Sequence, residues 1–171
     1  MVRSAARSGH AIDAERLRRA EEAKAQLPEL KHRAELCEAQ YRESLANAEK
    51  QFALAMKGKI DDCLAATLSG DDFLPATPLP RCTLNELVMV LPSPNKKSGV
   101  ELFLGDLGPR IGILESLRAA EICRQITEDD RKWAATIFSI TEATPEFPEI
   151  VTLMFYRVTP EYWEQLMSNG A

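Results

Sequence analysis

Gly105-Asp106-Leu107-Gly108-Pro109-Arg110-Ile111-Gly112 is the stretch of this chain whose residue types come nearest to a ligand loop. It follows a run that reads as a strand and precedes one that reads as a helix. Backbone amides at Gly105, Gly108 and Gly112 can hold an anion at such a helix start, and Arg110 adds positive charge. The spacing is neither that of the phosphate loop, which ends in Lys-Ser/Thr, nor that of the dinucleotide fingerprint. Pro109 supplies no amide and Asp106 repels phosphate. A plain strand–helix turn is the simpler reading, with an anion- or nucleotide-responsive loop as the alternative.

Other reactive side chains are scattered. The acidic doublets Asp61-Asp62 and Asp71-Asp72 and the triplet Glu128-Asp129-Asp130 do not make metal clamps, because neighbouring residues on a helix point about 100° apart. Glu128 to Asp130 suit a helix N-terminus instead. Cys37, Cys63, Cys82 and Cys123 form no C-x-x-C pair, and His10 and His32 lie far from the later cysteines. Zinc ligands come in close pairs, so no metal site is expected and the thiols are read as reduced. No G-x-S-x-G elbow is present, and the histidines fall outside the segment able to build a core, so no catalytic residue and no cofactor are assigned.

The elements that would carry these groups divide the chain in two. Of 22 alanines, 15 precede Ser69, whereas eight of 11 aromatics follow residue 100. Residues 1–69 hold 12 basic and 11 acidic side chains. The whole chain of 171 residues carries a net charge of −5, which argues against nucleic acid as its main partner. Arg16, Arg18 and Arg19 cluster near the start, but acids flank them and they read as a solvated helix face. No apolar run reaches the roughly 20 residues of a membrane span.

The first half carries a seam. Apolar positions recur at Ala20, Ala23, Leu27, Leu30, Ala34, Cys37, Tyr41, Leu45, Ala48, Phe52 and Ala55, in alternating steps of three and four with one extra residue near Tyr41. Charges of both signs lie between them, and Glu38 is spaced to pair with Arg42. Such a stripe is a heptad pattern, too narrow to fold alone, which calls for another helix from a second copy or a different protein. The partner interface is therefore assigned to Leu27, Leu30, Ala34, Cys37, Tyr41, Leu45, Ala48 and Phe52. Pro28 kinks or interrupts the helix, giving one long helix or two, over about 12–27 and 29–68. An ordinary surface helix lying on the second half is the competing reading.

Gly70 is read as the helix stop, and Pro75, Pro78 and Pro80 as a linker. Leu87 to Leu91 and Val100 to Leu104 predict a hairpin with Lys96 and Lys97 at its tip, although Thr83 and Glu86 also have capping-box spacing. Ile111 to Ile126 predicts a helix. Thr127 with Asp130 predicts the start of another, burying Trp133, Ala134, Ile137 and Phe138. Glu149 to Val158 is apolar on both faces and reads as a central strand, and Thr159-Pro160 opens a last helix.

The fold class is α+β: a coiled-coil-like stalk and a small head of order β-β-α-α-β-α. The boundaries are a disordered tail over 1–11, stalk 12–69, linker 70–82 and head 83–171. Arg3, Arg7 and the early serines resemble the start of a transit peptide, but the acids at Asp13 and Glu15 favour the plain tail. A cytoplasmic interaction protein of the adaptor or scaffold kind, oligomeric through its helix, is the expected role.

Overall fold

Alanine, glutamate, lysine, arginine and leucine, all strong helix formers, build one continuous helix, α1 (Arg3–Ala55). Pro28 sits inside it without ending it. The computed structural model describes the backbone of residues 3–68, 72–95, 98–146 and 148–169, with side chains from residue 12 to 168 within those ranges. The tail expected over 1–11 therefore has no described side chains. The stop at Gly70 and the Lys96-Lys97 tip lie outside the described residues. The chain divides into two compact units, residues 1–44 and 45–171. The first is helix alone. The second holds the last turns of α1 and everything after them.

The second unit is an antiparallel sheet with two short helices. Its elements are β1 (Ile60–Thr67), β2 (Phe73–Pro75), β3 (Leu87–Pro92), β4 (Gly99–Leu104), β5 (Arg110–Glu115), α2 (Leu117–Thr127), β6 (Lys132–Thr141), β7 (Ile150–Val158) and α3 (Pro160–Asn169). The strands lie in the order β1-β7-β6-β3-β4-β5-β2. The class is mixed α+β, as expected. The hairpin β3–β4, the internal strand β7 and the helix after Thr159 stand where the sequence puts them.

The predicted order of elements is corrected at three places. First, residues 60–67 are a strand and not the end of the long helix. Gly58, at φ +80, turns the chain after α1, and Leu64 and Ala66 then pack on the core while Ala65 pairs with Met154. Non-local pairing overrides the helical propensity of an alanine-rich segment. The stretch read as a linker also contains β2, in which Phe73 is buried.

Second, the predicted helix over 111–126 is a strand followed by a shorter helix. Ser116 separates them, its Oγ accepting the Ala119 N–H at 3.0 Å as an N-cap. Third, Thr127 ends a helix instead of starting one: its hydroxyl donates back to the Cys123 carbonyl at 2.9 Å. The following residues form β6, with Trp133, Ala135 and Ile137 buried in alternation and Phe138 exposed. At the capping-box spacing, the Thr83 N–H and hydroxyl both donate to the Glu86 carboxylate at 2.9 Å. No helix follows, because Asn85 adopts φ 63 and Leu87 enters β3.

Helix α2 covers one face of the sheet. Ala119, Ile122 and Cys123 meet Val88, Val100, Leu102, Ala135, Ile137, Leu153 and Phe155 in a single apolar cluster. On the opposite face a cross-strand row runs through Cys63, Tyr156, Ala134, Met89 and Phe103. At the β1–β7 end of that row the last turns of α1 close over the sheet, with the Phe52 ring 5.4 Å from the Tyr156 ring.

Candidate partner interface

The seam runs across both units, and its residues differ in what surrounds them. Within the first unit Leu27, Leu30 and Tyr41 are 48%, 55% and 45% exposed, and Ala34 and Cys37 are exposed too. At 100° per residue these five positions fall within one narrow stripe of α1. Leu36, 50% exposed, lies on the far side of the helix. Within the second unit Leu45, Ala48 and Phe52 are half-buried. There Glu49 accepts the Ala65 N–H at 2.7 Å and its carbonyl takes the Cys63 thiol at 3.5 Å. The part of the seam from Leu45 onward thus faces its own sheet, a placement the spacing alone does not reveal.

The charges beside the exposed stripe are tied along the helix. Arg18 and Arg19 both donate to Glu15 at 3.0 Å, and Arg42 bonds Glu38. The basic cluster of the sequence is thereby an ion-paired, exposed helix face.

Gly105, Gly108, Arg110 and Gly112 are brought together in a different setting from the one expected. The segment joins β4 to β5 and precedes no helix. The Gly105 amide donates to the Leu87 carbonyl at 2.8 Å and the Gly108 amide to the Leu104 carbonyl at 2.9 Å. Arg110 reaches Glu101 at 3.5 Å. Gly112 lies in the ladder between Leu102 and Pro75, and a Cβ there would stand 2.4 Å from the Phe73 ring. These glycines serve a tight turn and a close strand approach.

Sequence reasoning missed a polar cluster where α2 meets β1, β6 and β7. The buried Gln125 side-chain oxygen accepts from the Trp133 indole and from Arg157, each at 3.0 Å. Its amide donates to Glu121 at 2.8 Å. Arg157 also meets Asp61 and Arg118 meets Asp62, both at 2.5 Å. Hydrogen bonds from Arg124 and Gln125 hold the Glu121 carboxyl down to about 2. The same Glu121 bond, with Asp129 nearby, pushes the Arg124 guanidinium above its ordinary value. Nothing local in the sequence signals this cluster, because its members come from four elements.

An open depression of about 340 Å³ is lined by Glu49, Lys50, Ala53, Ile60, Asp61, Asp62 and Cys63. Its carboxylates are engaged by the partners already named. Burial, reinforced by Glu49 and Asp62, raises the Cys63 thiol, which leaves it protonated at neutral pH. Among the described residues no three of His, Cys, Asp and Glu gather as metal ligands, and no helix is long and apolar enough to cross a membrane. The chain matches no family model, no curated protein and no solved structure.

Proposed function

We propose that this chain is a protein–protein assembly subunit that associates through the α1 seam of its first unit. One observation carries the reading. Leu27, Leu30, Ala34, Cys37 and Tyr41 share one helical stripe and are all exposed, whereas the seam residues Leu45, Ala48 and Phe52 are half-buried within the second unit. A stripe of that width gains little from water and is stabilised by burial against another helix. The sheet unit then serves as the second recognition element of the subunit.

The test uses a photo-crosslinking side chain placed at Leu30 or at Leu36 in the intact chain, in its native cells. The two positions are 55% and 50% exposed, so accessibility is matched and only the helix face differs. A defined adduct from Leu30 that is missing from Leu36 supports the reading. Equal labelling from both faces, or none from Leu30, overturns it.

A further inference from the structure

We propose that the occupant of the exposed seam is a second copy of this chain, running antiparallel and centred near His32. The inference rests on the reading of the seam as an association surface and adds the identity and direction of the partner. One property of the stripe supports it, the alternation of its side-chain sizes.

An antiparallel pair centred there puts Leu30 of each copy opposite Ala34 of the other. Leu27 comes opposite Cys37, and Tyr41 opposite Ala23. These three layers each match a large side chain with a small one, which fills the space between two helices evenly. A parallel, in-register pair stacks like on like instead. Its alanine layers at Ala23 and Ala34 leave gaps, and its Tyr41 layer holds the helices apart. The antiparallel register also ends where the exposed seam ends, with Ala20 facing Ser44, one residue before the half-buried Leu45. Pro28 is about 100° round from Leu27 and stays out of every layer.

The charges that flank the seam do not separate the two directions. Lys24 of each copy comes beside Glu38 of the other, on both sides of the two-fold axis. Lys31 and Arg33 meet their own copies near the axis, and each is spaced four residues from an acid of its own helix, Glu35 and Glu29 respectively. The parallel register sets Arg33 beside Glu38 and Arg19 beside Lys24.

Cys37 is an exposed native probe of this geometry. Across the antiparallel pair the two Cys37 residues are ten positions apart along the axis, about 15 Å, beyond disulfide reach. The wild-type chain under mild oxidation is expected to give no Cys37–Cys37 bond. Leu27→Cys is expected to give a covalent dimer, with the new thiol mapped by mass spectrometry to Cys37 of the second copy. Leu27→Cys combined with Cys37→Ser is expected to stay uncrosslinked.

Should circular dichroism show that Leu27→Cys loses its helix, Ala23→Cys/Tyr41→Cys/Cys37→Ser tests the same register at its outer layers. A Cys37–Cys37 bond in the wild type, or a covalent dimer of Leu27→Cys/Cys37→Ser, overturns the antiparallel arrangement. A monomeric intact chain by light scattering overturns self-pairing altogether. In that case an adduct from Leu30 to a different protein leaves the association reading standing, and the absence of any Leu30 adduct removes both.

Discussion

The indole N–H of Trp133 donates to the side-chain oxygen of Gln125 at 3.0 Å, in a hydrogen bond buried at both ends. It ties β6 to α2, and Arg157 of β7 uses the same acceptor. Gln125→Leu strands the buried indole donor and takes one acceptor from Arg157, which keeps Asp61. The expected cost is about 1–3 kcal/mol, read as a lower urea midpoint with a changed Trp133 emission. Combining it with Trp133→Phe should recover part of that loss, since the unsatisfied indole goes too. Equal or additive losses in the double variant would show that the bond carries no net stability.

Glu121 makes the second unit sensitive to acid. Its carboxyl is held at about 2, below the ordinary 4.5, by hydrogen bonds from Arg124 and Gln125. A group depressed on folding contributes its stabilisation fully above its ordinary value and loses it as pH falls. The loss here falls between pH 4.5 and about 2. Its side chain is 41% exposed, so solvent screens the effect and the change is small. Glu121→Gln is expected to flatten the fall in urea midpoint over that window and to leave the slope above pH 5 unchanged.

Gly112→Ala tests what the glycine turn is for. The added methyl would stand 2.4 Å from the Phe73 ring and 2.7 Å from the Leu74 carbonyl, so β2 must move off β5. The expected cost is about 1–3 kcal/mol. Faster amide exchange is expected at Ala76, whose N–H bonds the Ile111 carbonyl at 2.8 Å. Arg110→Ala removes only an exposed ion pair and should shift stability by less than about 1 kcal/mol. The reverse ranking would mean that the close approach of β2 does not depend on Gly112.

Phe52→Ala separates the covered end of the seam from the rest of the helix surface. Loss of the ring packed on Tyr156 is expected to cost the second unit about 2 kcal/mol. Leu54→Ala, two residues on and 67% exposed, is expected to stay within about 0.5 kcal/mol of wild type. Similar urea midpoints for the two variants would mean that Phe52 does not seal that face.

What could be read from the residues was what local pattern determines. The β3–β4 hairpin, strand β7 and the helix opened by Thr159-Pro160 each announce themselves within a few positions. Strand β1 did not, because it follows a long helical run, carries alanines and lacks period-two alternation, and is set by Leu64 and Ala66 meeting the core and pairing with β7. Trp133, Ala134, Ile137 and Phe138 fit a helical period, while the residues actually buried, Trp133, Ala135 and Ile137, fit a strand. The choice between the two periods was made by β3 and β7 on either side. For the candidate interface the spacing of the seam was legible. Its division into exposed and covered parts depends on Tyr156, far along the chain. Gly112 looked like a ligand residue because its true neighbour, Phe73, is likewise distant in sequence.

The two margins of the sheet bear on how this molecule keeps company. On one, the Glu49 carboxylate already occupies the Ala65 N–H of β1, so an incoming strand would meet a negative charge at mid-edge. The other margin is only three residues long and ends in Pro75, which has no N–H to offer. Backbone templating by a neighbouring chain, the route to sheet polymerisation, is blunted at both. The proposed association is thereby confined to side-chain surfaces, where pairing is selective and copy number stays finite.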